Sequence, residues 1–133
     1  MTASTVLDGE AGVRAAVGSE LGTTDWFEIT EQGLLQFAES TGDPSGAYFA
    51  ISLSNMFLPQ IVEVRGFAMG VNYGTEAVHF GAPLQTGDRL RGSAALVDVI
   101  EVKGGIQTKM VITVDVEAGE PACVIESLSR WLS

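Results

Sequence analysis

The fold is decided by residues 47–62, which read AYFAISLSNMFLPQIV. Almost every position is apolar, so the segment predicts a helix that is buried on most sides rather than one that lies on a surface. Its polar residues Tyr48, Ser52 and Asn55 are spaced i, i+4 and i+7, which places them on one narrow stripe. Pro59 is expected to kink this helix or to end its regular part.

The residues before this helix predict a strand and a shorter helix. Residues 24–29 (TDWFEI) are short and aromatic, which is typical of a strand. Thr30 has the chemistry of a helix N-cap, and the apolar stripe that follows ends near Gly42, so a helix is expected between them. Residues 1–17 mix small and polar side chains and predict a weakly structured lead-in to one domain spanning 18–133.

After residue 62 the hydrophobic period changes from 3.6 to 2, which indicates strands. The clean alternation of 106–116 is typical of a sheet that is packed on one face and solvated on the other. A long apolar helix has to be wrapped by something, and the only candidate is a curved sheet made from these strands. The predicted class is therefore α+β: a single hot-dog domain, an antiparallel curved sheet wrapped around one long buried helix.

Composition excludes several classes of partner. The chain has 133 residues, with 7 basic and 17 acidic side chains and a net charge of −10, so nucleic acids and anionic membranes are not expected as partners. No apolar run is long enough to span a membrane. The absence of a signal-peptide pattern and a single cysteine, Cys123, predict a cytoplasmic protein. One histidine and one cysteine do not make a metal-ligand set, so no metal is expected.

Seven stretches, taken in order, resemble the MaoC-like dehydratase family, whose members include (R)-specific enoyl-CoA hydratases. They are VGSELGTTDW (17–26), FAESTGD (37–43), SLSNMFLP (52–59), VRGFAMGVNYG (64–74), VHFGAPLQTGDRLRG (78–92), VIEVKGGIQ (99–107) and PACVIESL (121–128). The resemblance implies the hot-dog fold and a homodimer formed by pairing sheets edge to edge. It also implies reversible hydration of an acyl-CoA thioester, trans-2-enoyl-CoA, to (R)-3-hydroxyacyl-CoA without a metal or redox cofactor.

The resemblance also suggests the site residues. Asp43 matches the family's catalytic aspartate and is the expected base, and Ser52 matches a helix serine that is expected to contact the substrate. The backbone N–H groups of Gly46 and Ala47 are the expected donors to the thioester oxygen. Structural roles stay open beside these, because an aspartate before a proline commonly closes a turn and a helical serine commonly bonds a backbone carbonyl.

One feature of the family pattern is missing. The family carries a histidine five residues after its aspartate, whereas Tyr48 stands at that position here and His79 is the chain's single histidine. A connecting segment of roughly twenty residues is absent between Asp43 and Gly46. Either the molecule carries a segment that this sequence leaves out, or the chain is truly short.

The missing histidine keeps two other functions open. Removing a positioned acid or base slows catalysis by about 10²–10⁴-fold, so full activity is not expected from this chain alone. The first alternative is a non-catalytic acyl-CoA-binding or dimer-partner subunit. The second is a hot-dog thioesterase, which requires a carboxylate on the apolar helix, and residues 47–60 contain none.

Four further residues carry weaker hypotheses. His79 is expected to be structural or exposed rather than catalytic, and Cys123 is expected to act as a small buried hydrophobe. Arg89 and Arg91 share one strand face, where they could meet a CoA phosphate or simply form a solvated strand edge.

Overall fold

The structure, a computed structural model, describes residues 3–133, so Met1 and Thr2 of the predicted lead-in lie outside the described residues. The elements follow one another as β1 (Thr5–Asp8), α1 (Gly9–Ala15), β2 (Ser19–Thr23), β3 (Phe27–Glu28), α2 (Glu31–Thr41), α3 (Ala47–Ile61), β4 (Val62–Arg65), β5 (Met69–Phe80), β6 (Arg89–Val102), β7 (Gly105–Val116) and β8 (Cys123–Leu132).

One antiparallel sheet carries the fold. Its strands lie in the order β2-β6-β7-β8-β5, and the short β3 also pairs with β6. A two-residue turn at Lys103 and Gly104 joins β6 to β7, where the sequence predicts a hairpin. Alternate side chains of β6, β7 and β8 are buried and pack with α3 into one core. The predicted architecture, an antiparallel sheet packed around one long helix, is confirmed.

Helix α2 forms as its end signals predict. The side chain of Thr30 accepts a hydrogen bond from the N–H of Gly33 at 3.0 Å, which satisfies one of the unpaired donors of the first turn. Gly42 ends the helix in the left-handed conformation, with φ of 75°, which glycine adopts without steric cost.

The predicted weakly structured lead-in is wrong for the residues that the structure describes. Residues 5–8 form β1, which pairs in parallel with β4, and residues 9–15 form α1. Leu7 and Val13 are buried in the core. These two apolar side chains, in a stretch of mostly small and polar residues, anchor the segment because they reach partners far along the chain. The predicted strand over 24–29 is also corrected: β2 ends before it, and only β3 falls within it.

Helix α3 is buried on one face only. Its buried residues are Ala50, Leu53, Phe57 and Ile61, whereas Tyr48 is 61% exposed. The prediction that the helix is buried on most sides is therefore wrong. The sheet reaches a single face of the helix, and no segment among residues 3–133 covers the whole of the other. Pro59 lies inside the last turn, and α3 ends two residues later.

Helix α3 approaches the sheet closely at Gly92 on β6. A Cβ atom on Gly92 would lie 2.6 Å from Cβ of Phe57, which is shorter than any real contact, so only glycine lets the helix approach this strand so closely. Thr24 fixes the same residue: its Oγ1 accepts the Gly92 N–H at 3.0 Å, and its own N–H donates to the Gly92 carbonyl at 2.8 Å.

Replacing Gly92 by alanine is expected to destabilise the protein. The added methyl group overpacks the core beneath Phe57, which typically lowers the free energy of unfolding by about 1–3 kcal/mol. Urea denaturation measures the change. Gly119→Ala is the matched control, because a Cβ there meets no atom within 4 Å. Equal losses of stability in the two variants would contradict the role given to this contact.

Candidate active site

The residues that connect α2 to α3 form a turn closed by its own side chains. Oδ1 of Asp43 accepts hydrogen bonds from the hydroxyl of Ser45 at 2.6 Å and from its N–H at 3.1 Å, and Oδ2 accepts from the N–H of Tyr48 at 3.0 Å. The Ser45 Oγ in turn accepts from the N–H of Ala47 at 3.2 Å. Two side chains thus cap the start of α3, and a connection of this length is ordinary between packed helices.

These hydrogen bonds set the charge of Asp43. The Ser45 side chain first, and then the N–H of Tyr48, hold the pKa of the Asp43 carboxyl below its ordinary value. The N-terminal end of a helix favours a negative charge as well. Asp43 is therefore ionised at neutral pH, which is the state that a general base requires.

Gly46 and Ala47 lie directly beside this carboxylate. Gly46 is the N-cap of α3, with φ of 74°, and it is buried: a Cβ on it would lie 3.1 Å from Cβ of Leu84. The N–H of Ala47 is already engaged by Ser45 Oγ. A thioester oxygen that bound to Ala47 would replace this contact with Ser45, so the role of the two amides as oxyanion donors stays a prediction.

Ser52 lies one turn further along the exposed stripe of α3. Its hydroxyl donates to the carbonyl of Tyr48 at 2.9 Å, the back-bonding that is common for a serine inside a helix. Ser52 also lines a cleft of about 380 Å³ between α3 and the strands β5, β7 and β8. The structure thus brings Asp43, Gly46 and Ala47 together at the helix N-terminus, whereas Ser52 lines a cleft whose walls include none of these three residues.

Sequence reasoning missed two contributors to this region. Ser45 is the main hydrogen-bond partner of Asp43, and the D-P-S-G spacing of residues 43–46, with a serine two positions after the aspartate, is the signal that could have found it. Asn72 on β5 donates to Asn55 on α3 across the cleft. No local signal links these two asparagines, because the contact joins a helix to a strand that comes after it.

His79 and Cys123, also singled out from the sequence, lie in surroundings that do not favour catalysis. His79 is exposed on β5 and pairs with Val124 of β8. Burial raises the pKa of the Cys123 thiol to about 11, so it is un-ionised at neutral pH and is a poor nucleophile.

The two arginines of β6 also have partners. Arg89 forms an ion pair with Glu117 at 2.8 Å. The guanidinium of Arg91 lies 4.4 Å from the ring centroid of Trp26, in the range of a cation–π contact.

Within residues 3–133, no group of three or more His, Cys, Asp or Glu side chains is arranged to hold a metal ion. No helix in the same range is long and apolar enough to cross a membrane.

Comparison with known proteins identifies the class and then the family. No family model matches the sequence. The fold resembles a MaoC-like dehydratase from Rhodospirillum rubrum, with a TM-score of 0.66 and 15% identity over 88% of this chain and 92% of that one. It also resembles the unliganded R-hydratase PhaJ1 from Pseudomonas aeruginosa, with a TM-score of 0.65 and 15% identity over 88% and 82% of the two chains. These likenesses define a hot-dog protein, the fold that the sequence predicts.

A sequence relative gives the family. The chain is 32% identical over 144 residues to 3-hydroxyacyl-thioester dehydratase Z of Mycobacterium tuberculosis, and the match covers 92% of this chain and 95% of the relative. The chain therefore belongs to the MaoC-like dehydratase family, as its sequence motifs predict.

The same alignment measures what this chain lacks. It is 144 residues long, whereas 92% of the 133 residues is about 122, so about 22 aligned positions have no counterpart here. The position of the missing segment, between Asp43 and Gly46, stays a prediction.

Asp43 is expected to contribute stability that is lost in acid. Its pKa is lower in the folded protein than in the unfolded chain, so the contribution is present above the ordinary value of 3.8 and is lost as the pH falls through the lowered folded-state value. Urea unfolding at a series of pH values between neutral and strongly acidic measures it. In Asp43→Asn the stability should fall less steeply with acid than in the parent. Glu120→Gln, at an exposed turn residue, should keep the parent's slope; if both variants keep it, the prediction is wrong.

Proposed function

We propose that this protein catalyses the reversible hydration of trans-2-enoyl-CoA to (R)-3-hydroxyacyl-CoA in the cytoplasm, with Asp43 as the base. The observation that supports the proposal is an ionised carboxylate at the N-terminus of α3, a helix whose later turns, from Ile51 and Ser52 onwards, line a cleft. The dehydratase to which the chain is 32% identical is named for 3-hydroxyacyl thioesters, which are the products of this hydration.

A single carboxyl group can carry out both proton transfers of the hydration. Asp43 accepts a proton from water, and the hydroxide oxygen bonds to Cβ while the Cα=Cβ electron pair shifts towards the thioester oxygen. The backbone N–H groups of Gly46 and Ala47 stabilise the charge that develops on that oxygen. The protonated Asp43 then delivers its proton to Cα, which restores the carboxylate and completes the addition of water.

A site with one proton-transfer group is slow. Its carboxyl must serve both as acid and as base, and the lowered pKa makes Asp43 a weak base. We expect turnover about 10²–10⁴-fold below that of a site in which an aspartate and a histidine share the two proton transfers. The expected activity is therefore measurable but small.

Crotonyl-CoA tests the proposal, because hydration removes the conjugated double bond and its ultraviolet absorbance. The parent protein should show slow loss of absorbance and should form the (R)-3-hydroxy product, and Asp43→Asn should abolish both. Asp88→Asn is the matched control, since Asp88 also closes a turn by accepting a backbone N–H, that of Gln85 at 2.8 Å. Equal rates in the two variants, or no hydration by the parent, would overturn the assignment.

A non-catalytic acyl-CoA-binding subunit is the second candidate. The observation that favours it is that Asp43 and the N–H of Ala47 are both engaged in capping α3. For this candidate crotonyl-CoA should bind without turnover. The thioesterase alternative ranks last, because α3 carries no carboxylate.

We further propose that the protein is a homodimer in which two copies of β5 lie edge to edge. β5 is 12 residues long and forms one edge of the sheet. Its apolar side chains at Met69, Val71, Tyr73 and Phe80 are between 42% and 56% exposed. A long apolar edge strand is a ready template for pairing with another strand.

A charge on this edge is expected to separate the copies. Light scattering coupled to size-exclusion chromatography should give twice the 14.0 kDa chain mass for the parent and 14.0 kDa for Val71→Lys. Val97→Lys is the control, since Val97 is 41% exposed on β6, a strand with neighbours on both sides. A monomeric parent, or dissociation by both variants, would contradict the proposed dimer.

A further inference from the structure

A second cleft lies beside the last turns of α3, at the end of the helix away from Asp43. It measures about 340 Å³ and is bordered by α3, β4, β5 and β8, a volume in the range of small-molecule sites in proteins. We call it the tryptophan cleft. Most of its lining side chains are apolar: Leu58, Pro59, Val62, Val64, Val71 and Trp131.

The indole of Trp131 is held in place from two sides. Its Nε1–H donates a hydrogen bond to Oγ1 of Thr108 at 3.0 Å, and Thr108 is completely buried. The ring also lies so close to Gly70 on β5 that a Cβ atom on Gly70 would be 2.4 Å from Cζ3 of the indole. Because this aromatic wall is already fixed, a ligand that packs on it does not have to order the side chain.

The cleft also offers hydrogen bonds at its mouth. Asn55 on α3 and Asn72 on β5 line it, and Nδ2 of Asn72 donates to Oδ1 of Asn55 at 3.2 Å. An amide has two N–H donors and an oxygen with two lone pairs, so each side chain can bind a further partner after this bond. Both asparagines are exposed, which leaves them accessible to a ligand that enters from solvent.

The charge of the cleft selects against ions. None of the described residues that line it is charged, and the chain as a whole carries a net charge of −10. An anion would lose its hydration without gaining a cationic partner, and the field of the protein would repel it. Apolar walls with a few polar groups suit a neutral ligand.

We infer that the tryptophan cleft binds a small neutral ring compound that carries a hydroxyl group, of the class of phenols and cyclic alcohols. Its ring packs against Trp131, and its hydroxyl bonds to the pair Asn55 and Asn72. A ring makes the contact that an indole favours and loses less conformational freedom on binding than an alkyl chain of the same size. The cleft contains none of the residues assigned to the hydration, so this site is separate from the one at Asp43.

Titration with 2-naphthol tests the inference, because this probe is neutral at pH 7 and carries a flat apolar ring and one hydroxyl. Two-dimensional NMR reads the indole N–H signals of Trp131 and Trp26, which the Trp26→Phe variant assigns. The Trp131 signal should shift and saturate, whereas the Trp26 signal should stay in place, since Trp26 does not line the cleft. The anion 2-naphthoate has the same ring and should bind about tenfold more weakly.

Two glycines of β5 provide a matched pair of variants. In Gly70→Ala the added methyl group displaces the Trp131 ring, so the dissociation constant of 2-naphthol should rise about tenfold. Gly74→Ala is the control, because a Cβ on Gly74 meets no atom within 4 Å. This variant should bind 2-naphthol as the parent does.

The hydroxyl contact has its own variant. In Asn55→Ala/Asn72→Ala the affinity for 2-naphthol should fall about threefold to tenfold, the size expected for one hydrogen bond. Naphthalene, which has no hydroxyl, should bind to this variant as it binds to the parent. Thermal unfolding checks that each variant is folded.

Several outcomes would overturn the inference. They are the absence of a saturable Trp131 shift in the folded parent, equal losses of affinity in the two glycine variants, and equal affinities for 2-naphthol and 2-naphthoate. Conversion of a dimer to monomers by 2-naphthol, measured by light scattering, would show instead that a second copy covers the cleft. The crotonyl-CoA assay tests the hydration at Asp43 independently of all these results.

Discussion

The seating of α3 on the sheet through Phe57 and Gly92 is the constraint on which the rest of the structure depends. Because Gly92 has no side chain, the helix lies close to β6, and Phe57 is almost completely buried at 1% exposure. The rotation of a helix about its axis is fixed once one face is packed in this way. Everything that α3 presents on its other face follows from this contact.

That fixed rotation explains the position of the candidate site. Ser52 and Asn55 line the cleft beside β5, and Tyr48 contacts Phe80 at the end of β5, because the opposite face of the helix packs on β6. The start of α3 is likewise held, with buried Gly46 against Leu84, so Asp43 and Ser45 meet amides that are already in place. The Phe57–Gly92 contact therefore orients the face that lines the cleft, and the packing of Gly46 against Leu84 holds the end of the helix that Asp43 caps.

The parts of this fold that could be predicted from sequence depend on signals close together in the chain. The Thr30 cap, the Gly42 stop and the alternation of β7 are local, and each element forms as expected. β1 was missed because its partner, β4, lies 57 residues further along the chain (Thr5 pairs with Val62) and the pairing is parallel. The exposed face of α3 was missed because apolar composition shows what a helix can bury, not whether another segment reaches it.

In the candidate site, too, local signals could be read from the sequence and contacts between distant segments could not. Asp43 was identified through family motifs, and both of its possible roles, base and turn residue, were visible in the sequence. Its hydrogen bonds to Ser45 and Tyr48 show that Asp43 caps the start of α3. No sequence pattern could show that it makes both of these bonds. The polar stripe that includes Asn55 was visible, but its partner Asn72 depends on how β5 curves past the helix.

The irregular pairing of β5 with β8 has a consequence for association between molecules. The register shifts twice, between Asn72 and Gly74 and between Thr75 and Val78. Such irregularities bend a strand and interrupt the regular row of backbone donors and acceptors that an incoming chain would need to extend a ladder. In the proposed pair of β5 strands, the regular stretches Met69–Asn72 and Val78–Phe80 would therefore carry the contact, because the bends between them interrupt a continuous ladder.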